Sequence, residues 1–193
     1  MDRLLTIEHF VYLHHRRGFG VTYLPRFFSL SNTLGEQIGQ ADEQLAAVSK
    51  SEPLIKRLCH IPGVGPVTSI TFVAILGEAK RFSSAKQVRA YLGLVPKEDS
   101  SGERKLRGHI TKAGNSRVRS LLVEVSWLIL SSRKEELRGL KQWALRIAER
   151  RGRRVAVVAL ARKLAGILYA LWRDGTEFDP ARLRQAVVGD AAS

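Results

Sequence analysis

The pattern of apolar and polar positions predicts a mostly α-helical protein. Apolar residues recur at alternating steps of four and three from Leu34 through Ile38 to Leu45 and Val48, which is the seam of an amphipathic helix. This seam favours a helical arm over residues 30–52 that pairs with a second copy of the chain. A helix lying on its own domain fits the pattern equally well. Residues 1–29 show no sustained period, so their structure is left open.

Three short helices are predicted between residues 53 and 93. Pro53 fits the first turn of one helix, and a second spans residues 67–76 before Gly77. Ser84 and Gln87 have capping-box spacing, which begins the third helix.

Three longer helices are predicted after Asn115, a candidate N-cap. The face of the first is marked by Val118, Leu121, Leu122, Val125, Leu128 and Ile129. The second covers residues 137–148. The third, from Val155 to Trp172, is apolar on most sides, so we expect it at the centre of the fold, ending at Asp174 and Gly175. The stretch between Pro96 and Asn115 has too few apolar residues to bury and predicts a long loop, of a length that is usually functional or disordered, and no segment shows strand alternation.

The charge of the chain favours a nucleic-acid partner. Among 193 residues, 32 Lys and Arg oppose 18 Asp and Glu, which gives a formal net charge of +14. Such an excess favours a polyanion, the alternative being a solvated basic surface. A single cysteine, Cys59, excludes an internal disulfide and disfavours a zinc site. The residues after Met1 lack the apolar block of a secretory signal, and Arg162 and Lys163 interrupt the longest apolar run, so we expect a cytoplasmic protein without a membrane span.

The sequence from Ile61 to Pro66, Ile-Pro-Gly-Val-Gly-Pro, has the pattern of a helix-hairpin-helix turn. Its glycines allow positive φ and a close backbone approach, so that successive N–H groups can face a phosphate. The predicted nucleic-acid contacts are Gly63, Val64, Gly65 and Thr68. The alternative is a glycine-rich turn that binds nothing.

Basic side chains cluster in two further places. The clusters are Arg104, Lys105, Arg107, Lys112, Arg117 and Arg119 around the long loop, and Arg146, Arg150, Arg151, Arg153 and Arg154 at a helix junction. Both predict phosphate contacts that weaken with salt. For Arg150 and Arg151, a plain interaction with the carboxyl end of a helix is an equal alternative. Trp127, Trp143 and Trp172 lie at helical positions and are expected in the core.

A series of short motifs carries a family resemblance. In order they are Leu58-Cys-His-Ile-Pro-Gly-Val-Gly-Pro66, Arg81-Phe82, Ala90-Tyr-Leu-Gly-Leu-Val-Pro96, Ser101-Gly102, Gly108-His-Ile-Thr-Lys-Ala-Gly-Asn115, Arg162-Lys-Leu-Ala165 and Asp174-Gly175. This series resembles the carboxy-terminal domain of the IS110 family of insertion-sequence transposases, relatives of the pilin-gene inverting recombinases. The family usually has Ala where this chain has Ser69. The resemblance gives a domain over residues 53–180, with residues 181–193 as a tail.

The resemblance implies a DNA transposase or recombinase with a serine nucleophile in the loop after the Gly-Leu-x-Pro stretch. That position is Ser101, with Ser100 as the fallback. Arg104, Lys105 and Arg107 are candidates for stabilising the charged transition state. In the complete family enzyme, an amino-terminal RuvC-like domain holds Mg²⁺ with four acidic residues, and a structured guide RNA is a further partner.

The chain departs from that pattern before the glycine turn. Its carboxylates there, Asp2, Glu8, Glu36, Asp42, Glu43 and Glu52, do not lie on strand-like segments that converge on a metal. We therefore expect the acidic domain to be missing and no cofactor to be bound by this chain. The alternative function is a non-catalytic helix-hairpin-helix module that binds nucleic acid, or a remnant of a disrupted element. A DNA glycosylase is disfavoured because residues 80–86 contain no carboxylate, and His109 is expected to contact phosphate or solvent rather than act as a base.

Overall fold

The structure, a computed structural model, describes the backbone of residues 24–101 and 104–181 and the side chains of residues 26–97 and 109–181. Within these ranges the fold is mostly α, as expected. The helices are α1 (Leu24–Ser51), α2 (Pro53–Cys59), α3 (Pro66–Leu76), α4 (Ala85–Tyr91), α5 (Ser116–Ser131), α6 (Arg138–Arg151) and α7 (Arg153–Asp174), with 3-10 turns at Ala79–Arg81 and Glu135–Leu137. The chain divides into two compact units between Gln44 and Leu45.

Helix α1 begins at Leu24, six residues before the position expected from the seam. Pro25 fits its first turn, where a missing N–H costs nothing. The seam residues remain exposed in the single chain, with 48% of Leu34 and 61% of Ile38 accessible to solvent.

Helix α7 is the centre of the second unit, which confirms its predicted place. Ten of its residues are buried, namely Ala156, Val157, Leu160, Ala161, Leu164, Ala165, Gly166, Leu168, Tyr169 and Leu171. Helices α4, α5 and α6 all pack against it. By length and composition α7 is apolar enough to cross a membrane, but more than half of its most apolar window is covered by the rest of the protein. Gly175 ends the helix in the left-handed conformation, as expected.

Helix α5 has a narrower buried face than its sequence predicts. Asn115 caps it by accepting a hydrogen bond from the N–H of Val118 at 3.1 Å. Leu128 and Trp127, however, are 59% and 42% exposed, so the expected burial of both is wrong. Only the stripe that faces α3 and α7 is covered, and Ser126 lies inside it, with its hydroxyl donating to the carbonyl of Leu122 at 2.7 Å.

The predicted loop after Pro96 is an antiparallel β-hairpin, and the loop expectation is therefore wrong. Strand β1 (Pro96–Ser101) pairs with β2 (Arg104–Ile110), with a register irregularity between Pro96 and Glu98. The cross-strand bonds join backbone groups, so a hairpin forms without the apolar alternation that a half-buried strand requires.

The base of the hairpin is fixed by direct backbone packing between two glycines. A Cβ on Gly114 would lie 1.9 Å from the carbonyl oxygen of Tyr91, and one on Gly93 would lie 2.6 Å from the nitrogen of Ala113. The N–H of Lys112 also donates to the carbonyl of Gly93 at 3.1 Å. No side chain fits in this joint, so it holds the hairpin against the end of α4 and the start of α5.

Candidate nucleic-acid interface

A groove of about 870 Å³ lies at the base of the hairpin, between α4 and the α6–α7 junction. Its lining residues are Arg89, Leu94, Pro96, His109, Ile110, Lys112, Trp143, Arg151, Arg154, Val155, Val158, Ala159, Arg162 and Lys163. All of them belong to the second compact unit. Pro96 and Ile110 are cross-strand partners, so the hairpin itself forms one wall.

The charge of this groove has one sign. Six of its lining residues are Lys or Arg and none is Asp or Glu among the residues that the structure describes. A concave surface lined by one sign of charge concentrates ions of the opposite sign. The groove is thus an electrostatic site for a polyanion.

Three of the predicted phosphate-binding residues meet in the groove. Lys112 from the first basic cluster lines it together with Arg151 and Arg154 from the second. Lys112 has a positive φ of 56°, which places it in the tight turn between β2 and α5. One residue of the first cluster and two of the second therefore share a surface, which their separation in sequence did not reveal.

The sequence analysis missed Arg89 and assigned no such role to Arg162 or Lys163. Arg89 lies on α4, and its guanidinium packs directly over Gly166 of α7, where a Cβ would come within 2.4 Å of Nη2. The Nε atom of Arg89 is buried and has no hydrogen-bond partner. The one available signal for this part of the groove was the motif that contains Arg162. Arg162 lies four residues before Gly166, so the two residues share one face of helix α7.

The positive charge of the Arg89 guanidinium is disfavoured by its surroundings. Burial, and secondly the positive charge of Arg162, lower the pKa of its guanidinium from the usual value. A guanidinium stays protonated in proteins nonetheless. The lowered pKa therefore reflects first the loss of water around the Arg89 guanidinium and secondly the like charge of Arg162, and a bound anion would offset both.

The three tryptophans have different environments. Trp143 lines the groove, and the ammonium group of Lys163 lies 4.6 Å from the centre of its ring. Trp172 is half-buried and packs edge-on against Phe72, as a core residue does. The expected core position is correct for Trp172 and wrong for Trp127, which is largely exposed.

The glycine turn joins α2 to α3, as the sequence predicts. Gly63 has φ +92°, whereas Gly65 is extended and serves as the N-cap of α3. The side chains of Val64 and Thr68 are buried, with 3% and 7% exposure. No side chain caps the start of α3, so the turn can offer a phosphate only backbone N–H groups. None of these residues lines the groove.

Ser101 ends strand β1, and its cross-strand partner is Arg104. The fallback nucleophile, Ser100, pairs in the same way with Lys105. Two of the predicted electrostatic residues are therefore the direct strand neighbours of the two serines. Arg107 pairs with Glu98. The side chains of residues 98–108 lie outside the described residues.

The remaining predicted cations whose side chains the structure describes do not line the groove. Arg117, Arg150 and Arg153 are exposed. The Nε of Arg150 donates to the carbonyl of Arg146 at 3.4 Å, which agrees with the simple helix-end interpretation. Arg119 has a structural role instead, because its Nη1 donates to the carbonyls of Leu92 and Gly114 at the hairpin base.

The described residues do not fit the magnesium site that the family resemblance implies. Among the side chains of residues 26–97 and 109–181, no three Asp, Glu, His or Cys residues lie together. Glu36, Asp42 and Glu43 all lie along the single helix α1. This part of the chain thus offers no carboxylate cluster for a hard cation.

The family model and the similar proteins that match this chain are all described as transposases or insertion-element proteins. Residues 55–142 match the family described as Transposase IS116/IS110/IS902 family. The transposase for insertion sequence element IS1111A of Coxiella burnetii is 38% identical over 136 residues, which are 70% of this chain and 37% of that protein. A probable family 20 transposase of Pseudomonas aeruginosa is 32% identical over 148 residues, which are 77% of this chain and 44% of that protein.

A more distant relative covers more of the chain. The transposase for insertion sequence element IS1328 of Yersinia enterocolitica is 29% identical over 165 residues, which are 86% of this chain and 49% of that protein. This chain therefore spans less than half the length of each of these relatives. The family match contains the glycine turn, the hairpin with Ser101 and helix α5, and over residues 55–142 this chain belongs to the IS116/IS110/IS902 family of transposases.

Proposed function

We propose that this chain binds DNA and takes part in strand cleavage and exchange for an insertion sequence, with Ser101 as the nucleophile. The observation that carries the proposal is the hairpin register, in which Ser101 is the neighbour of Arg104 on a hairpin whose base borders the basic groove. A serine that attacks a phosphodiester needs cations near the phosphorus, and Arg104 and Lys105 are the cations closest to it along the ladder.

The proposed reaction exchanges one phosphodiester for another. The Ser101 oxygen forms a bond to phosphorus, and the bond from phosphorus to one sugar oxygen breaks. The serine hydroxyl loses a proton, and the departing sugar oxygen takes one up. The covalent phosphoserine conserves the bond energy, so a second strand end can later attack it and rejoin the DNA.

The proton acceptor and any magnesium ions have to come from residues beyond those described. We propose that this chain itself binds no cofactor and that an acidic domain on another chain or segment completes the site. A structured guide RNA remains a further proposed partner, and the basic groove and glycine turn offer surfaces that are suited to its phosphates.

A suicide DNA substrate that traps the covalent intermediate tests this proposal. The chain is incubated with labelled DNA, alone and with a full-length homologue made catalytically silent at its own serine. A labelled protein adduct that is lost in Ser101→Ala and kept in Ser100→Ala is the expected result. An adduct that persists in Ser101→Ala assigns the reaction to another residue, and no adduct in either mixture refutes the catalytic role.

A second function, DNA binding without cleavage, is favoured by one observation. The described residues contain no cluster of carboxylates that could activate a serine or hold a metal. Under this alternative the Ser101→Ala variant retains both its DNA affinity and its effect on transposition. Measuring transposition of a marked element in cells with wild-type or Ser101→Ala protein separates the two functions.

A further inference from the structure

The groove combines a basic surface with an apolar surface. A DNA duplex can contact the basic surface through its phosphates but cannot place the faces of its bases on the apolar one. The basic surface is the set of cations that includes Arg89, Arg154 and Arg162. The other is an apolar wall formed by Ile110, Val155, Val158 and Ala159. A duplex presents phosphates and sugars outward and keeps the faces of its bases stacked inside, so an apolar wall gains nothing from it.

An unpaired nucleotide presents both a phosphate and an exposed base. Proteins that bind unpaired strands combine a positively charged groove with flat or apolar side chains against which the bases rest. The groove volume of about 870 Å³ falls within the range of about 300–1,000 Å³ typical of small-molecule sites. That size suits one or a few nucleotides.

Arg89 is the best anchor for a phosphate in this groove. Its guanidinium is pinned over Gly166, its Nε has no hydrogen-bond partner, and no carboxylate lines the groove around it among the described residues. Arg162 lies one turn before Gly166 on the same face of α7. Among the described residues no carboxylate lines the groove, so these two guanidinium groups are suited to hold a phosphodiester oxygen together.

We propose that the groove binds an unpaired polynucleotide strand, with a phosphodiester held by Arg89 and Arg162 and a base against the apolar wall. The ligand chemistry is the same for a DNA strand opened during cleavage and for a single-stranded segment of RNA. This inference rests on the proposed function in one respect, because strand exchange is the process that opens DNA near the hairpin.

The test uses a variant that displaces Arg89 without changing any charge. In Gly166→Ala the new methyl group occupies the place of the Arg89 guanidinium, and only the end of a flexible side chain has to move. The substitution suits a helix, since Ala is favoured over Gly at helical positions. Arg89→Gln removes the charge directly. Arg133→Gln, at an exposed site outside the groove, is the matched control for the loss of one charge.

Fluorescence anisotropy measures the affinity of each full-length variant for a labelled DNA strand, the RNA strand of the same sequence and the DNA duplex, at one salt concentration. We expect Gly166→Ala and Arg89→Gln to weaken binding of an unpaired strand by about tenfold, the loss of a charge-assisted hydrogen bond. Duplex binding should change less than about twofold, since the glycine turn and exposed arginines carry it. A stronger effect on DNA or on RNA identifies which strand the groove holds.

Three results would overturn the inference. They are equal losses for duplex and unpaired strands, unchanged binding of the unpaired strand in both groove variants, and displacement of the strand by polyglutamate as readily as by unlabelled DNA. Thermal unfolding of each variant verifies that it is folded. Because binding is measured without cleavage, a missing Ser101 adduct refutes the proposed function alone, whereas unselective binding refutes this inference alone.

Discussion

Replacement of Gly114 by alanine provides a sharp test of the joint that positions the hairpin. The added methyl group would lie 1.9 Å from the carbonyl oxygen of Tyr91, and 2.7 Å and 2.8 Å from the carbonyl carbon and Cα of Leu92. All three atoms belong to the backbone, so no side chain can rotate away. The carbonyl has to retreat by about 1.1 Å merely to reach the shortest separation that real Cβ atoms show, and overpacking of this kind costs about 1–3 kcal/mol or more.

We expect Gly114→Ala to lower the free energy of unfolding by about 3 kcal/mol, at the upper end of that range, because Arg119 also binds the two carbonyls beside the joint. For a chain of this size that loss lowers Tm by about 6–12 °C. Circular dichroism at the helix band during thermal and urea unfolding measures the change. Gly166→Ala is the matched control, since its methyl meets a mobile side chain and Tm should hold or rise. An unchanged Tm in Gly114→Ala would refute the direct backbone packing.

Four further outcomes are expected. Tyr169→Phe leaves the buried carbonyl of Phe82 without its donor, so urea unfolding should show a loss of about 1–3 kcal/mol. Asn115→Ala removes the cap of α5 and should cost about 1 kcal/mol in the same assay. If the exposed seam of α1 pairs two chains, Ile38→Asp should reduce the dimer mass measured by light scattering to that of a monomer, and a monomeric wild type would contradict the pairing. Arg154→Gln should reduce the slope of log affinity against log salt by about 0.7 for a single strand, and an unchanged slope would exclude a phosphate contact.

The helices were predictable because burial requires a repeating stripe of apolar side chains. In α7 nearly every apolar position is covered, and both its span and its central place follow from composition. In α5 the stripe was predicted too wide, since Leu128 has the right period but faces solvent. Periodicity shows which residues can share a face, whereas the neighbouring helices determine how much of that face is covered.

The hairpin was not predictable from periodicity, for a physical reason. Its cross-strand pairs, such as Ser100 with Lys105, are polar, so neither strand has the apolar alternation by which strands are recognised. Two glycines fix the base of the hairpin. From the sequence alone, Gly93 is interpreted as the end of a helix and Gly114 as part of a loop. Their actual function is a contact between segments about twenty residues apart, which local reasoning does not detect.

The groove was only partly predictable because its members come from three distant segments. Lys112, Arg151 and Arg154 were chosen for their charge, but nothing in the sequence placed them together. Arg89 stood alone in a short helix, and its contact with Gly166 spans more than seventy residues. Charge counting therefore predicted the class of partner, whereas the fold was needed to find the surface.

The geometry of the hairpin separates two kinds of cation by their expected effect on the reaction. Strand β1 extends from Pro96 in the groove wall to Ser101 at its other end, and five residues of strand cover about 17 Å. Cations in the groove are therefore too far from Ser101 to stabilise charge at the phosphorus, because such stabilisation requires donors at about 3 Å. We expect Arg154→Gln to weaken substrate binding while the cleavage rate at saturating DNA stays within about twofold, and Arg104→Gln to lower that rate by about 100-fold. Single-turnover cleavage over a range of DNA concentrations, with the complementing homologue present, separates the two effects. A lower cleavage rate at saturating DNA in Arg154→Gln would show that the DNA strand does not run along the hairpin from the groove to Ser101.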